Sequence, residues 1–425
     1  MRVGVSLFAA VGVLLAGGVA HADESPDLGE AEVISHDPVL SSEAMVECDA
    51  AGIDYESDSL SAESCVDAFW TDERIAQALF NSGNDSQVAS SSPMGNDGPA
   101  VCQSEGTVEL GDWTDDVPSD GIWPPGVTES YDSRMVGILL STRPTVDAIC
   151  GNGPFHYYAC TASAVKDSVG VNSLIVTAGH CVHEGSDGTW HENVMFMPAW
   201  NGVDYMRGNL GGSYGVETVG VLPGYIEHKI IGGNSPESNY HDVAFGVPGK
   251  DTSHFQQLSL GERVGGYGIS FNDTSDFDAV LLGYPHFDEC EGTETPQSHD
   301  CTDIDVDNRE VVDVNHTVTY VPGGLMLGCE GLTQGDRLGN PLTGPKGLLV
   351  SDCGFVGGAS GGPWLSDFDE STGYGTVRAV LSGTTGGGVV MATYFGDEVE
   401  DLYTCVTEIS FGYDECRDEW DTEDL

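Results

Sequence analysis

From residue 135 onward the apolar positions come in short runs broken by clusters of Gly, Pro, Asn and Asp. That is the pattern of short strands joined by turns. The runs predict strands over 136–141, 174–177, 242–247, 279–284, 316–321, 347–351 and 376–382. Helical spacing returns only near the end, over 398–406. Many short strands with frequent turns, and 58 glycines to make those turns, predict an all-β barrel or sandwich.

The first part of the chain reads differently. Arg2 precedes a run of apolar and small residues over 3–19, and Ala20-His21-Ala22 has the small-x-small form of a cleavage site. This predicts a signal peptide over residues 1–22 and a secreted protein, extracellular or periplasmic. A membrane anchor is set aside because glycines interrupt the run and polar residues begin at Asp23. Residues 23–128 are rich in Asp, Glu, Ser and Gly. They are expected to be an acidic pro-segment or N-terminal extension, with a disordered tail as the equal alternative. Within them, Val66, Phe69, Ile75 and Leu79 predict one helix over 61–79, and 86–99 reads as a linker.

Export gives the 12 cysteines an oxidising setting, so disulfides are expected. Sequence leaves their connectivity open. Pairing near neighbours gives Cys48–Cys65, Cys102–Cys150, Cys160–Cys181, Cys290–Cys301, Cys329–Cys353 and Cys405–Cys416.

Charge narrows the partners. With 69 Asp and Glu against 14 Lys and Arg the formal charge is −55, which repels nucleic acid and anionic membranes. Neither is expected as a partner. The same charge reads as a highly soluble acidic surface or, as the sharper alternative, as adaptation to a saline setting, where counter-ions screen the self-repulsion.

Three segments carry candidate chemistry. In Ile175-Val176-Thr177-Ala178-Gly179-His180-Cys181 an apolar strand ends at a histidine. In His241-Asp242-Val243-Ala244-Phe245 an acid precedes a β run, and in Gly357-Gly358-Ala359-Ser360-Gly361-Gly362-Pro363 a serine sits among glycines. A serine hydroxyl needs a base to become a nucleophile, and histidine can be that base near neutral pH. A carboxylate fixes the imidazole tautomer, and glycines let backbone N–H groups face a developing oxyanion. A metal reading of His180, His183 and His191 lacks a recognisable ligand spacing. Gly358-x-Ser360-x-Gly362 also matches a nucleophile elbow, but that arrangement places its histidine after the serine. The last histidine here is His316, so the elbow is excluded. A subtilisin-like order is set aside because the residues around Ser360 do not resemble that family. The order His, Asp, Ser in β-rich surroundings fits the chymotrypsin arrangement.

On these motifs the chain resembles the chymotrypsin/trypsin superfamily, in particular its secreted bacterial trypsin-like and glutamyl-endopeptidase-like branch. Thr177-Ala178-Gly179-His180-Cys181 resembles the histidine motif and Ala359-Ser360-Gly361-Gly362-Pro363 the serine motif. Cys160-Thr161-Ala162-Ser163-Ala164-Val165 resembles the strand before the histidine loop. The resemblance implies an all-β fold of two packed Greek-key β-barrels with a C-terminal helix, within a peptidase domain over 129–425. It implies His180, Asp242 and Ser360 as the catalytic triad, and the backbone N–H groups of Gly358 and Ser360 as the oxyanion hole. Ser382, Gly383 and Thr384 would line the substrate cleft, with Ser382 behind the triad near Asp242. The resemblance supports a Cys160–Cys181 disulfide and, next, Cys329–Cys353.

Its implied function is a secreted serine endopeptidase acting on protein or peptide substrates. The alternatives are a non-catalytic homologue that binds proteins in the cleft, or an esterase. Two departures stand out. Ala359 replaces the Asp that pairs with a freed N-terminus in trypsin-like zymogens, so that switch is not expected. Gly354 and Leu381 stand where an acidic pocket residue or a glutamyl-type histidine would be, so a small or apolar P1 side chain is expected. No cofactor or metal is expected, with calcium as the alternative because carboxylates are plentiful. Asp303-Ile304-Asp305-Val306-Asp307-Asn308 resembles the start of a calcium loop, but it lacks the glycine and the final acid, and reads better as a solvated acidic loop.

Overall fold

The computed structural model describes residues 34–36, 40–53, 59–71, 74–75, 78–79, 133–144, 155–167, 173–185, 189–200, 211–228, 240–252, 257–285, 326–335, 347–350, 355, 357–369, 371–386 and 389–412. The N-terminal part carries strand β1 (Ile34–His36) and helices α1 (Ser42–Ala51) and α2 (Ser59–Phe69). The next part runs through β2 (Val136–Pro144), β3 (Phe155–Lys166), β4 (Ser173–Thr177), β5 (Glu192–Pro198), β6 (Tyr214–Val221), α3 (Pro223–His228) and β7 (Ala244–Pro248). Helix α4 (Leu260–Val264) then leads to β8 (Gly268–Ile269), β9 (Asp278–Gly283), β10 (Leu327–Leu332), β11 (Gln334–Gly335) and β12 (Gly347–Val350). The last part contains β13 (Pro363–Asp369), β14 (Tyr374–Gly386), β15 (Val389–Tyr394) and α5 (Asp397–Ser410).

Strands β2, β3, β4, β7, β6 and β5 close into a barrel, because β6 pairs with both β5 and β7. Closure leaves no edge among these six strands. Every residue of β4 is buried, so its sequence is a continuous run rather than an alternation. The second sheet has the order β10-β9-β13-β14-β15-β12-β11, with β8 parallel to β14. Leu282, Tyr284, Leu365, Val377 and Val380 of this half share one apolar cluster with the first barrel. The all-β architecture with two packed β-units and a C-terminal helix agrees with expectation. Helix α5 lays Val399, Leu402, Val406 and Ile409 inward and places Asp397, Glu398 and Glu400 in its first turn, where the helix dipole favours acids. The expected strand over 316–321 lies outside the described residues.

The N-terminal part departs from the single helix expected over 61–79. Helix α2 ends at Phe69, and Thr71 starts a new turn, with its Oγ1 accepting from Arg74 N at 3.4 Å and its carbonyl from Ile75 N at 3.0 Å. Helix α1 was not expected. It is capped by Ser41, whose hydroxyl accepts from Ala44 N, and the Cys48–Cys65 disulfide ties it to α2. Both helices are held on the barrel. Phe69, Trp70, Ile75 and Leu79 are buried in the same cluster as the barrel core, and Trp70 Nε1 donates to Asn193 O at 2.7 Å. The Asn193 amide bridges Ser41 and Thr142, and β1 pairs with β6 at Val219–Val221. Residues 1–22, 86–99 and 303–308 lie outside the described residues, as do Cys102, Cys150, Cys290, Cys301, Cys353 and Cys416.

Candidate active site

Strands β4 and β7 are antiparallel partners, with Thr177 opposite Ala244. The chain leaving β4 and the chain entering β7 therefore run side by side. Three residues beyond Thr177 is His180, and two residues before Ala244 is Asp242. His180 Nδ1 lies 2.7 Å from Asp242 Oδ2, and His180 N donates to Asp242 Oδ1 at 2.8 Å. The Asp242 side chain is 1% exposed while that of His180 is 24% exposed, so the acid is sealed and the ring still meets solvent.

Asp242 is a joint between the two halves. Ser382 Oγ on β14 donates to its Oδ2 at 2.6 Å, and Thr393 Oγ1 on β15 donates to its main-chain carbonyl at 3.0 Å. Burial alone would raise the Asp242 carboxyl. The charge of His180 and the hydrogen bonds from the His180 ring, Ser382 and His180 N overcome it and hold the carboxyl below the usual value.

The loop carrying His180 is fixed by side chains. Cys181 is disulfide-bonded to Cys160 on β3. Tyr225 OH donates to His183 O at 2.9 Å, and burial pushes its phenol well up, which keeps it a neutral donor. His191, itself buried, has Nδ1 3.0 Å from Cys181 O and Nε2 2.9 Å from Glu184 Oε1. His183 Nδ1 accepts from Gly185 N. Donor atoms of Cys160, His180 and Cys181 lie within 4.8 Å of one another, but both sulfurs are spent in the disulfide, so the group is a poor metal site.

Ser360 sits in the turn before β13. Gly358 and Gly361 have φ of 87° and 82°, a region that favours glycine. Gly361 N donates to Leu381 O at 2.7 Å, and Leu381 N donates to Gly362 O at 2.9 Å. Across the halves, Thr161 N donates to Ser360 O at 2.8 Å. Cys181 Sγ lies 3.8 Å from the same carbonyl, so the neighbour of His180 touches the neighbour of β13.

The chain order His180, Asp242, Ser360 is thus laid onto contacting segments of the two β-units. Gly383 and Thr384 lie on β14 opposite Met391 and Val390 of β15. Cys329 is disulfide-bonded, to a partner outside the described residues. Gly354 is also outside them. Sequence reasoning did not single out Thr161, Thr177 or Thr393, all fully or nearly fully buried.

No family model and no curated protein matches the chain. Among solved structures, the chain is similar to the thermostable serine protease AL20 from an extremophilic microorganism. The identity is 20% and the TM-score 0.44, over 65% of this chain and 98% of that one. It is similar to the protease Anisep from Arthrobacter nicotinovorans at 20% identity and TM-score 0.43, over 65% and 98%. It is also similar to a Glu endopeptidase in complex with MPD at 13% identity and TM-score 0.39, over 67% and 94%. The two packed β-units and the C-terminal helix are the fold that the sequence motifs imply.

Proposed function

We propose that the chain is a secreted serine endopeptidase that hydrolyses peptide bonds of protein or peptide substrates through an acyl-enzyme. The observation that carries this reading is the sealed Asp242 carboxylate, 2.7 Å from His180 Nδ1 on a loop that touches Ser360 O through Cys181. Asp242 holds the His180 ring in the tautomer whose Nε2 can accept a proton. Ser360 Oγ then attacks the peptide carbonyl as His180 takes its proton, and the N–H groups of Gly358 and Ser360 receive the oxyanion. Collapse expels the amine, protonated by His180, and water repeats the sequence on the acyl-enzyme to release the acid. No metal enters these steps.

Retention of His180, Asp242 and Ser360 together favours catalysis over a binding-only homologue. Esterase activity is a side capacity of the same chemistry. Disulfides fit an extracellular site, and among the described residues no helix is long and apolar enough to cross a membrane. Residues 34–79 are read as an accessory module retained after any cleavage further along the chain. The support is the burial of Trp70 in the barrel's own cluster, its hydrogen bond to Asn193 O and the pairing of β1 with β6.

The test is a peptide-library digest with N-terminal sequencing of the mature sample, run beside Ser360→Ala and His180→Ala. The reading predicts cleavage after a narrow set of P1 residues and loss of about 10⁴-fold or more in kcat in each variant. Equal cleavage by wild type and Ser360→Ala would sink it.

A further inference from the structure

Strand β3 pairs with β4 only from Ser163 onward, where Ser163 faces Val176. Beyond Thr177 the chain leaves the ladder to form the His180 loop. The position beside Thr161 on that side of β3 is taken by the Ser360 turn instead. Thr161 N donates to Ser360 O at 2.8 Å where a barrel strand would otherwise pair. The Thr161 carbonyl accepts from Thr177 Oγ1 at 2.9 Å. Its hydroxyl donates to Gly358 O at 2.9 Å and accepts from Tyr284 N at 2.9 Å. Thr161 is fully buried, and each of its hydrogen-bonding groups is matched.

Two of these bonds bracket the nucleophile. Gly358 O and Ser360 O are pinned by the Thr161 hydroxyl and amide, and the carbonyl between them, Ala359 O, accepts from Gly362 N at 2.9 Å. Three successive peptide planes are therefore fixed. A planar trans peptide sets its N–H opposite its carbonyl, so tying Ala359 O inward turns Ser360 N–H outward.

We propose that Thr161 is a positioning residue for the oxyanion hole: its two bonds fix the Gly358–Ala359 and Ser360–Gly361 peptides on either side of the Ala359–Ser360 peptide, so that the Ser360 N–H stays aimed at the developing oxyanion. This role rests on the serine-peptidase reading above. The neighbouring Cys160 binds Cys181 covalently, so the dipeptide Cys160-Thr161 holds the base's loop with one residue and the nucleophile's turn with the next. An oxyanion contact strengthens in the transition state, so its loss falls on kcat rather than on substrate binding.

The test compares Thr161→Val, which keeps the shape and removes the hydroxyl, with Thr161→Ser, which keeps the hydroxyl. Both are assayed on the best peptide of the cleavage profile, with melting temperature and the affinity of the matching peptidyl aldehyde measured alongside. The proposal predicts that Thr161→Val loses about 10- to 100-fold in kcat with KM within about twofold, and that aldehyde affinity falls in parallel. Thr161→Ser returns to within about threefold of wild type. An active wild type with Thr161→Val unchanged in kcat and aldehyde affinity overturns the role alone. Loss of activity in both variants that merely follows their lowered melting temperature also overturns it. A folded wild type that neither cleaves peptides nor binds the aldehyde overturns the peptidase reading and this role with it.

Discussion

The loop that carries His180 and the turn that carries Ser360 meet at one carbonyl, yet they are built in opposite ways. Side chains hold the first: the Cys160–Cys181 disulfide, Asp242 on His180, Tyr225 on His183 and His191 beside Cys181. Mostly main chain holds the second, through Thr161 N, Leu381 and the turn's own Gly362 N–H, with glycines at φ of 87° and 82° and the Thr161 hydroxyl on Gly358 O as its side-chain support. A site held by side chains can lose one support and keep the rest. A site held by backbone depends on conformations that only glycine adopts cheaply.

The sharpest way to break this contrast is Gly361→Ala. An added Cβ would collide with Thr177 Oγ1 and the Thr161 carbonyl, at a backbone angle that disfavours side chains. The expected cost exceeds about 3 kcal/mol, read as a lowered urea midpoint or loss of soluble protein. A variant of unchanged midpoint would show that the serine turn is not backbone-limited.

Removing the disulfide by Cys160→Ala with Cys181→Ala should cost about 2–4 kcal/mol. The surviving folded protein should keep a measurable fraction of its activity, because Asp242, Tyr225 and His191 still hold the loop. Complete loss of activity in protein that remains folded would mean that the side-chain supports are not redundant.

The smallest effect is expected for Ser382→Ala, which deletes one donor to Asp242 and should lower kcat/KM about tenfold, or about 1.4 kcal/mol. The folded Asp242 carboxyl lies below its unfolded value. Its stabilisation is therefore complete above the unfolded value, about 3.9, and is lost as pH falls through the folded one. Without the Ser382 hydrogen bond the folded value rises, so acid unfolding should begin at a higher pH than in wild type. Urea midpoints measured across the acid range check the direction.

The same contrast explains what could be read from the sequence. His180, Asp242 and Ser360 stand out because their chemistry is written in side chains, and the order of the three selects one arrangement among several. Ser382 came only with the family resemblance. Thr161 carried no signal of its own: a strand threonine is common, and its partner Gly358 lies 197 residues away. The N-terminal helices were half legible. Val66, Phe69, Ile75 and Leu79 marked a helix, but the turn at Thr71 and the docking of Trp70 on Asn193 depend on a barrel surface over a hundred residues distant.

The most direct measurement of the central claim is mass spectrometry of folded protein treated with a fluorophosphonate. The account predicts one adduct, on the peptide carrying Ser360, and its loss in His180→Ala. Folded, disulfide-bonded protein with no adduct on Ser360, or with equal labelling when His180 is removed, would contradict it.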